Sequence, residues 1–153
     1  MRNRKTFAQS QTVLKNKKKI MQIGIIGSKN YENIRRIKDI LTSLKTKFGN
    51  ELVIVSGGNT AGVEKYVKKY ALEFNIQYKE FNPANTAHTL YSVMSEDYYG
   101  KPWHGSQHAH RYMMLGRSVD NLIILVPKGE TVDLYKAAID TVNKREKKIV
   151  VMN

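Results

Sequence analysis

Apolar residues in this chain fall into short runs separated by longer stretches with helical spacing. Met21 to Ile26 is a run closed by Gly27-Ser28-Lys29, and Leu52 to Ser56 is a second, closed by Gly57-Gly58-Asn59. Short β-branched runs that break at glycine are expected to be buried strands. Behind the first run, Ile34, Ile37, Leu41, Leu44 and Phe48 mark one face of a helix that Gly49-Asn50 should stop. Behind the second, Val63, Val67, Tyr70, Ala71 and Phe74 mark another helix. Ile76 to Phe81 alternates imperfectly as a third strand, and Asn121 to Val126 is a fourth, closed by Pro127. A helix over about Thr131 to Lys144, with Val132, Tyr135, Ala138, Ile139 and Val142 on one side, leads to a fifth strand at Ile149-Val150-Val151. Strands alternating with helices imply crossover connections, so the fold class is α/β: a three-layer sandwich around a mostly parallel five-stranded sheet.

Ligands of such sheets sit at the carboxyl ends of the strands, near the point where strand order reverses. The strands end in Gly27-Ser28-Lys29, Ser56-Gly57-Gly58, Asn82-Pro83 and Pro127-Lys128-Gly129-Glu130-Thr131, and these loops should converge on one site. The N–H groups of Gly57, Gly58 and Asn59, at the start of a helix, are suited to a phosphate, and the helix dipole adds to the attraction. A tight turn with no ligand is the plain alternative for the glycines. A bulky residue at Gly58 is expected to abolish binding and leave the fold mostly intact. Lys29 and Arg111 would supply positive charge, arginine as a bidentate partner. Ser28 and Thr131 could donate hydrogen bonds to phosphate or ribose, while Glu64 would either hold a ribose hydroxyl or stabilise its own helix N-terminus. Glu130 and Glu64 are the carboxylates, and His108 and His110 the bases, that catalysis would need; Glu130 is the candidate catalytic residue, although no spacing singles one out.

Composition narrows the class. A chain of 153 residues is about one domain and needs no covalent staple. It has no cysteine, which excludes disulfides and thiol chemistry and fits a reducing, cytoplasmic setting. No apolar stretch reaches the roughly 18 to 20 residues of a membrane span, so no membrane partner is expected. The formal charge is +13, and seven lysines or arginines with no acid lie between Met1 and Lys19. Residues 1–20 are therefore expected to be a flexible basic arm, either a solvated tail or a contact for nucleic acid, and residues 21–153 a single domain.

About 40 residues separate the third and fourth strands, more than a crossover needs. They hold all four histidines (His88, His104, His108, His110), the only tryptophan, Trp103, and Tyr91, Tyr98, Tyr99 and Tyr112. A short helix around Ala109 to Gly116 would carry Arg111 towards the rim. The histidines lack a third ligand at a recognisable spacing, so they are expected to be hydrogen-bonding groups rather than a metal site. Packing is the expected role of Trp103 and the tyrosines. Neither a metal nor a resident cofactor is expected.

Taken together, residues Ile23 to Val151 resemble the SLOG superfamily, a Rossmann-like group that includes the LOG and DprA proteins, and within it the small YspA-type branch. Gly27-Ser28-Lys29 is similar to that branch's Gly-Ser-Arg, and Ser56-Gly57-Gly58 with Gly62 and Glu64 resembles its Ser-Gly-Gly…Gly-Ala-Asp loop. Phe81-Asn82-Pro83-Ala84 is similar to its Phe-Pro-Ala, Gly100 through Arg111 and Met114 to its Gly…Arg-Asn…Met, and Gly129-Glu130-Thr131 to its Gly-Thr turn. The resemblance implies a nucleotide or phosphoribosyl ligand over the strand ends and a homo-oligomer. Tyr112 stands in place of Asn, Lys29 of Arg and Glu64 of Asp, and the Pro-Gly-Gly-x-Gly-Thr-x-x-Glu signature of the nucleotide-cleaving LOG enzymes is absent. A sensor or other ligand-binding protein is thus expected ahead of a nucleic-acid-binding protein or a nucleotide N-glycosidic hydrolase.

Overall fold

A computed structural model describes residues 19–153, so nearly all of the expected basic arm lies outside the described residues. In chain order the elements are β1 (Met21–Gly27), α1 (Ile34–Phe48), β2 (Leu52–Ser56), α2 (Gly62–Glu73), β3 (Gln77–Glu80), α3 (Gly105–Ser118), β4 (Asn121–Leu125), α4 (Lys136–Lys144) and β5 (Lys148–Met152). The sheet runs β3-β2-β1-β4-β5 and every pairing is parallel, so the expected "mostly parallel" sheet is wholly parallel. The physical reason is that each strand is followed by a helical crossover, which returns the chain to the same edge before the next strand starts.

Alternate strand residues face opposite helical layers. Ile23, Ile25, Leu52, Ile54, Ile123 and Leu125 pack with Ile37 and Leu41 of α1 and Val63, Val67 and Ala71 of α2. Ile26, Val53, Val55, Leu122 and Ile124 pack instead with Tyr112 and Leu115 of α3 and Ala138 and Val142 of α4. The central strands are apolar on both faces because both faces are covered. Among the described residues no helix is long and apolar enough to cross a membrane.

Three boundaries differ from expectation. The last helix begins at Lys136, because a 3-10 turn over Asp133–Tyr135 precedes it. Helix α3 is longer than expected, because the His104 ring caps it, Nδ1 accepting from Ser106 N–H at 3.1 Å. Strand β3 is only four residues long, and the insertion continues its pairing: Glu80 N–H donates to the Tyr91 carbonyl and Val93 N–H to the Glu80 carbonyl, both at 2.9 Å. The insertion thereby covers an edge that would otherwise present open hydrogen-bonding groups.

Strand order places the reversal between β1 and β4. From β1 the chain builds outward to β3, then crosses back to β4, so the loops leaving these neighbours diverge and open a crevice. Gly27 is in register with Leu125 at this point, and Ser28 N–H donates to the Leu125 carbonyl at 3.0 Å.

Candidate functional site

A cavity of about 460 Å³ occupies this crevice. Its walls come from the β1 loop (Gly27 to Asn30), the β2 loop (Gly58 to Ala61), the start of the insertion (Pro83, Asn85, Thr86), Trp103, three residues of α3 (His108, Arg111, Tyr112), and Glu130, Leu134 and Tyr135 beyond β4. The fold therefore brings together Gly27, Ser28, Lys29, Gly58, Asn59, Arg111 and Glu130. Ser56, Gly57, Gly62, Glu64, Gly129 and Thr131 lie outside the cavity lining.

Under the cavity is a buried polar cluster. Arg111 and Glu64 are both 0% exposed. Arg111 Nη1 donates to the carbonyls of Gly57 (2.9 Å) and Phe81 (3.2 Å), and Nη2 is 3.3 Å from both Asn59 Oδ1 and His108 Nδ1. All the Nη hydrogens thus face protein acceptors, so the bidentate phosphate contact expected of Arg111 is not on offer. What Arg111 provides is a positive charge and a tie between the ends of β2 and β3. Glu64 accepts from Tyr112 OH at 2.6 Å and from Asn59 N–H at 3.1 Å. Burial pushes the Glu64 carboxyl above its usual range, and the Arg111 charge and these two donors oppose that rise. Glu64 is consequently a buried strut rather than a group open to a ribose. Burial beside Glu64 also drives the Tyr112 phenol far up, and burial does the same to Tyr135, so both stay protonated donors.

The glycines are mostly spaces for other protein atoms. A Cβ on Gly57 would lie 2.3 Å from Glu64 Oε1 and 2.6 Å from Arg111 Nη1. On Gly62, at φ +68°, it would lie 2.2 Å from the Ser28 carbonyl, and on Gly58, at φ +70°, 2.6 Å from Asn82 Cβ. Gly57, Gly58 and Gly62 each let a neighbouring segment approach closely. Ser56 is equally structural, its hydroxyl donating to the Ile25 carbonyl at 2.7 Å. Gly129 supplies a turn at φ +90° with open space around it, and the Thr131 hydroxyl donates to Asp133 at 3.2 Å on the exposed surface. Of the three N–H groups expected to cradle a phosphate, that of Asn59 is committed to Glu64.

On the opposite wall the Ser28 hydroxyl donates to Glu130 Oε1 at 2.7 Å and accepts from Asn30 N–H at 3.0 Å. Lys29 beside it is exposed. His108 faces the Arg111 guanidinium, which can only donate, so Nδ1 accepts and the ring proton sits on Nε2. Burial and the Arg111 charge push the His108 pKa down, keeping the ring neutral. Among the described residues no cluster of three or more histidines and acids could hold a metal.

Trp103, expected to pack, is instead 65% exposed and lines the cavity. Leu134, 68% exposed, and Tyr135 also line it and were not singled out for the site. Their one signal was position, directly after Gly129-Glu130-Thr131 at the end of β4.

No family model and no curated protein matches this chain. Solved structures that share its fold include two described by their ligand. One is a molybdenum cofactor binding protein from the phototrophic bacterium Rippkaea orientalis: 15% identity, TM-score 0.64, covering 87% of this chain and 76% of that one. The other is the molybdenum cofactor carrier protein from Chlamydomonas reinhardtii, at 16% identity and TM-score 0.59 with the same coverage. At this identity the likeness is one of fold, and it agrees with a Rossmann-type sandwich.

Proposed function

We propose that this protein binds a small phosphate-bearing molecule, of the nucleotide or phosphoribosyl class, in the cavity over β1 and β4, as a sensor or carrier. The observation that carries the reading is electrostatic. Arg111 is wholly buried against neutral acceptors, and the ion pairs among the described residues, Arg35 with Asp39 and Lys68 with Glu80, do not include it. Glu64 offsets this charge only from across Gly57. A buried charge of this kind favours an anion nearby. The α2 N-terminus and Lys29 face the same space, which adds to that field. The motifs shared with the YspA-type branch support the same ligand class.

A second occupant has support from the fold neighbours. Both are named for a molybdenum cofactor, so that small molecule is a candidate for the same cavity. Hydrolysis is not part of the proposal, because Glu64 is sealed and Glu130 is engaged by Ser28.

Thermal unfolding tests the reading. A ligand present at a hundredfold excess over its Kd adds about 2.7 kcal/mol, which raises Tm by roughly 5 to 10 °C in a domain of this size. Mononucleotides or the molybdenum cofactor are expected to give such a shift. If neither these nor ribose 5-phosphate moves Tm at millimolar concentration, the proposal fails.

A further inference from the structure

Exposed apolar side chains scattered singly over a surface need no explanation. Here they are not all scattered. Of the large exposed hydrophobic residues, Ile20, Leu72, Leu90, Val93 and Val151 lie away from the cavity, whereas Trp103 and Leu134 both line it. They come from two different segments that line the one cavity, one before α3 and one before α4.

Both are carried on anchored backbone. The segment leading to Trp103 is tied down by Lys101 N–H donating to the Ala84 carbonyl at 2.9 Å and Gly100 N–H to the Thr86 carbonyl at 3.2 Å. Pro102 precedes it and the capped start of α3 follows. Leu134 sits in the 3-10 turn whose last residue, Tyr135, is buried, and Tyr135 N–H closes that turn on the Val132 carbonyl at 2.9 Å. An indole exposed to water beside a cavity leaves apolar surface that a ligand ring would bury.

We propose that Trp103 and Leu134 form a clamp for a planar aromatic ring, so that the cavity selects phosphate esters carrying a nucleobase-like heterocycle over bare sugar phosphates. The clamp rests on the anion-site reading given above and adds the group at the ligand's other end. The phosphate would lie towards Lys29 and the α2 N-terminus, and the ring towards the indole. Stacking of this kind tolerates different bases, because every base has a π-face.

Trp103 is the only tryptophan, so its fluorescence reports the ring site alone. The full chain is titrated with AMP, GMP and ribose 5-phosphate, following Trp103 emission and, in parallel, heat of binding. The better of AMP and GMP is expected to quench the emission and bind at least about tenfold more tightly than ribose 5-phosphate. In Trp103→Ala that preference should fall to about unity while ribose 5-phosphate affinity is unchanged, and Trp103→Phe should restore most of it. Equal binding of nucleotide and sugar phosphate by the unaltered protein overturns the clamp and leaves the anion site standing. A preference that survives Trp103→Ala also overturns it. Failure of all three compounds to bind overturns the clamp, and the anion-site reading falls with it only if the molybdenum cofactor also leaves Tm unmoved.

Discussion

Beneath the cavity, Glu64, Arg111 and Tyr112 are fully buried and nearly every polar atom they present meets a protein partner; at its mouth, Lys29, Trp103, Glu130 and Leu134 are exposed. The floor joins residues far apart in the chain: Arg111 reaches the carbonyls of Gly57 and Phe81, and Tyr112 reaches Glu64. The mouth is made of loop residues, of which Ser28 and Glu130 make one cross-wall contact. Changes in the floor should therefore be felt as stability, and changes in the mouth as affinity or selectivity.

The contrast is broken most strongly by Glu64→Ala. It leaves the Arg111 charge buried without its nearest opposite charge and strips partners from Tyr112 and Asn59, so a loss of about 3 to 5 kcal/mol is expected. Chemical denaturation measures it. A loss below about 1 kcal/mol would mean that the floor is not a stabilising unit.

Lys29→Ala tests the other half. The side chain is exposed, so the denaturation midpoint should stay within about 0.5 kcal/mol of the parent protein. Affinity for a phosphate ester should fall about tenfold, and its dependence on salt should weaken. A drop in stability with unchanged affinity would reverse the assignment of roles.

The smallest effect is set by pH. His108 has a folded pKa below its ordinary 6.5, so as pH falls below that value the unfolded chain takes up a proton that the folded protein refuses. Stability should decline from about pH 6.5 until the lowered folded pKa is reached. Glu64 acts with the opposite sign: its folded pKa is raised above 4.5, so falling pH favours the fold between those two values. Comparing melting curves of the parent and His108→Gln at about pH 7 and pH 5.5 isolates the histidine. The variant should lose less stability on acidification; an identical loss would show that His108 plays no part.

Much of the fold was legible in advance, since strands and helices leave periodic apolar patterns that hold wherever the chain lies. Ile37 and Leu41 of α1, and Val63, Val67 and Ala71 of α2, are buried where the spacing put them. The convergence of the loops was legible because strand ends carry them: Gly27, Ser28, Lys29, Gly58, Asn59 and Glu130, which follow β1, β2 and β4, line one cavity, the candidate site. Gly58 shows where this ends. A bulky residue there was expected to leave the fold mostly intact, but its Cβ would press on Asn82 and on Glu80 Oε2 at 2.7 Å, so lost binding would not separate a site from a damaged fold.

What the sequence determined by itself is the layered α/β architecture and the set of loops at its carboxyl edge, because both follow from local periodicity and from the turn chemistry of glycine and proline. Which loop residues face a ligand, and which fill space beneath it, only the tertiary structure decided. Gly57 is a gap for Glu64 and Arg111, and Arg111 meets it from 54 positions away. Nothing near Gly57 in the chain encodes that meeting. Nor does the residue type say whether Trp103 packs or stands open, since exposure depends on what the folded chain places above it.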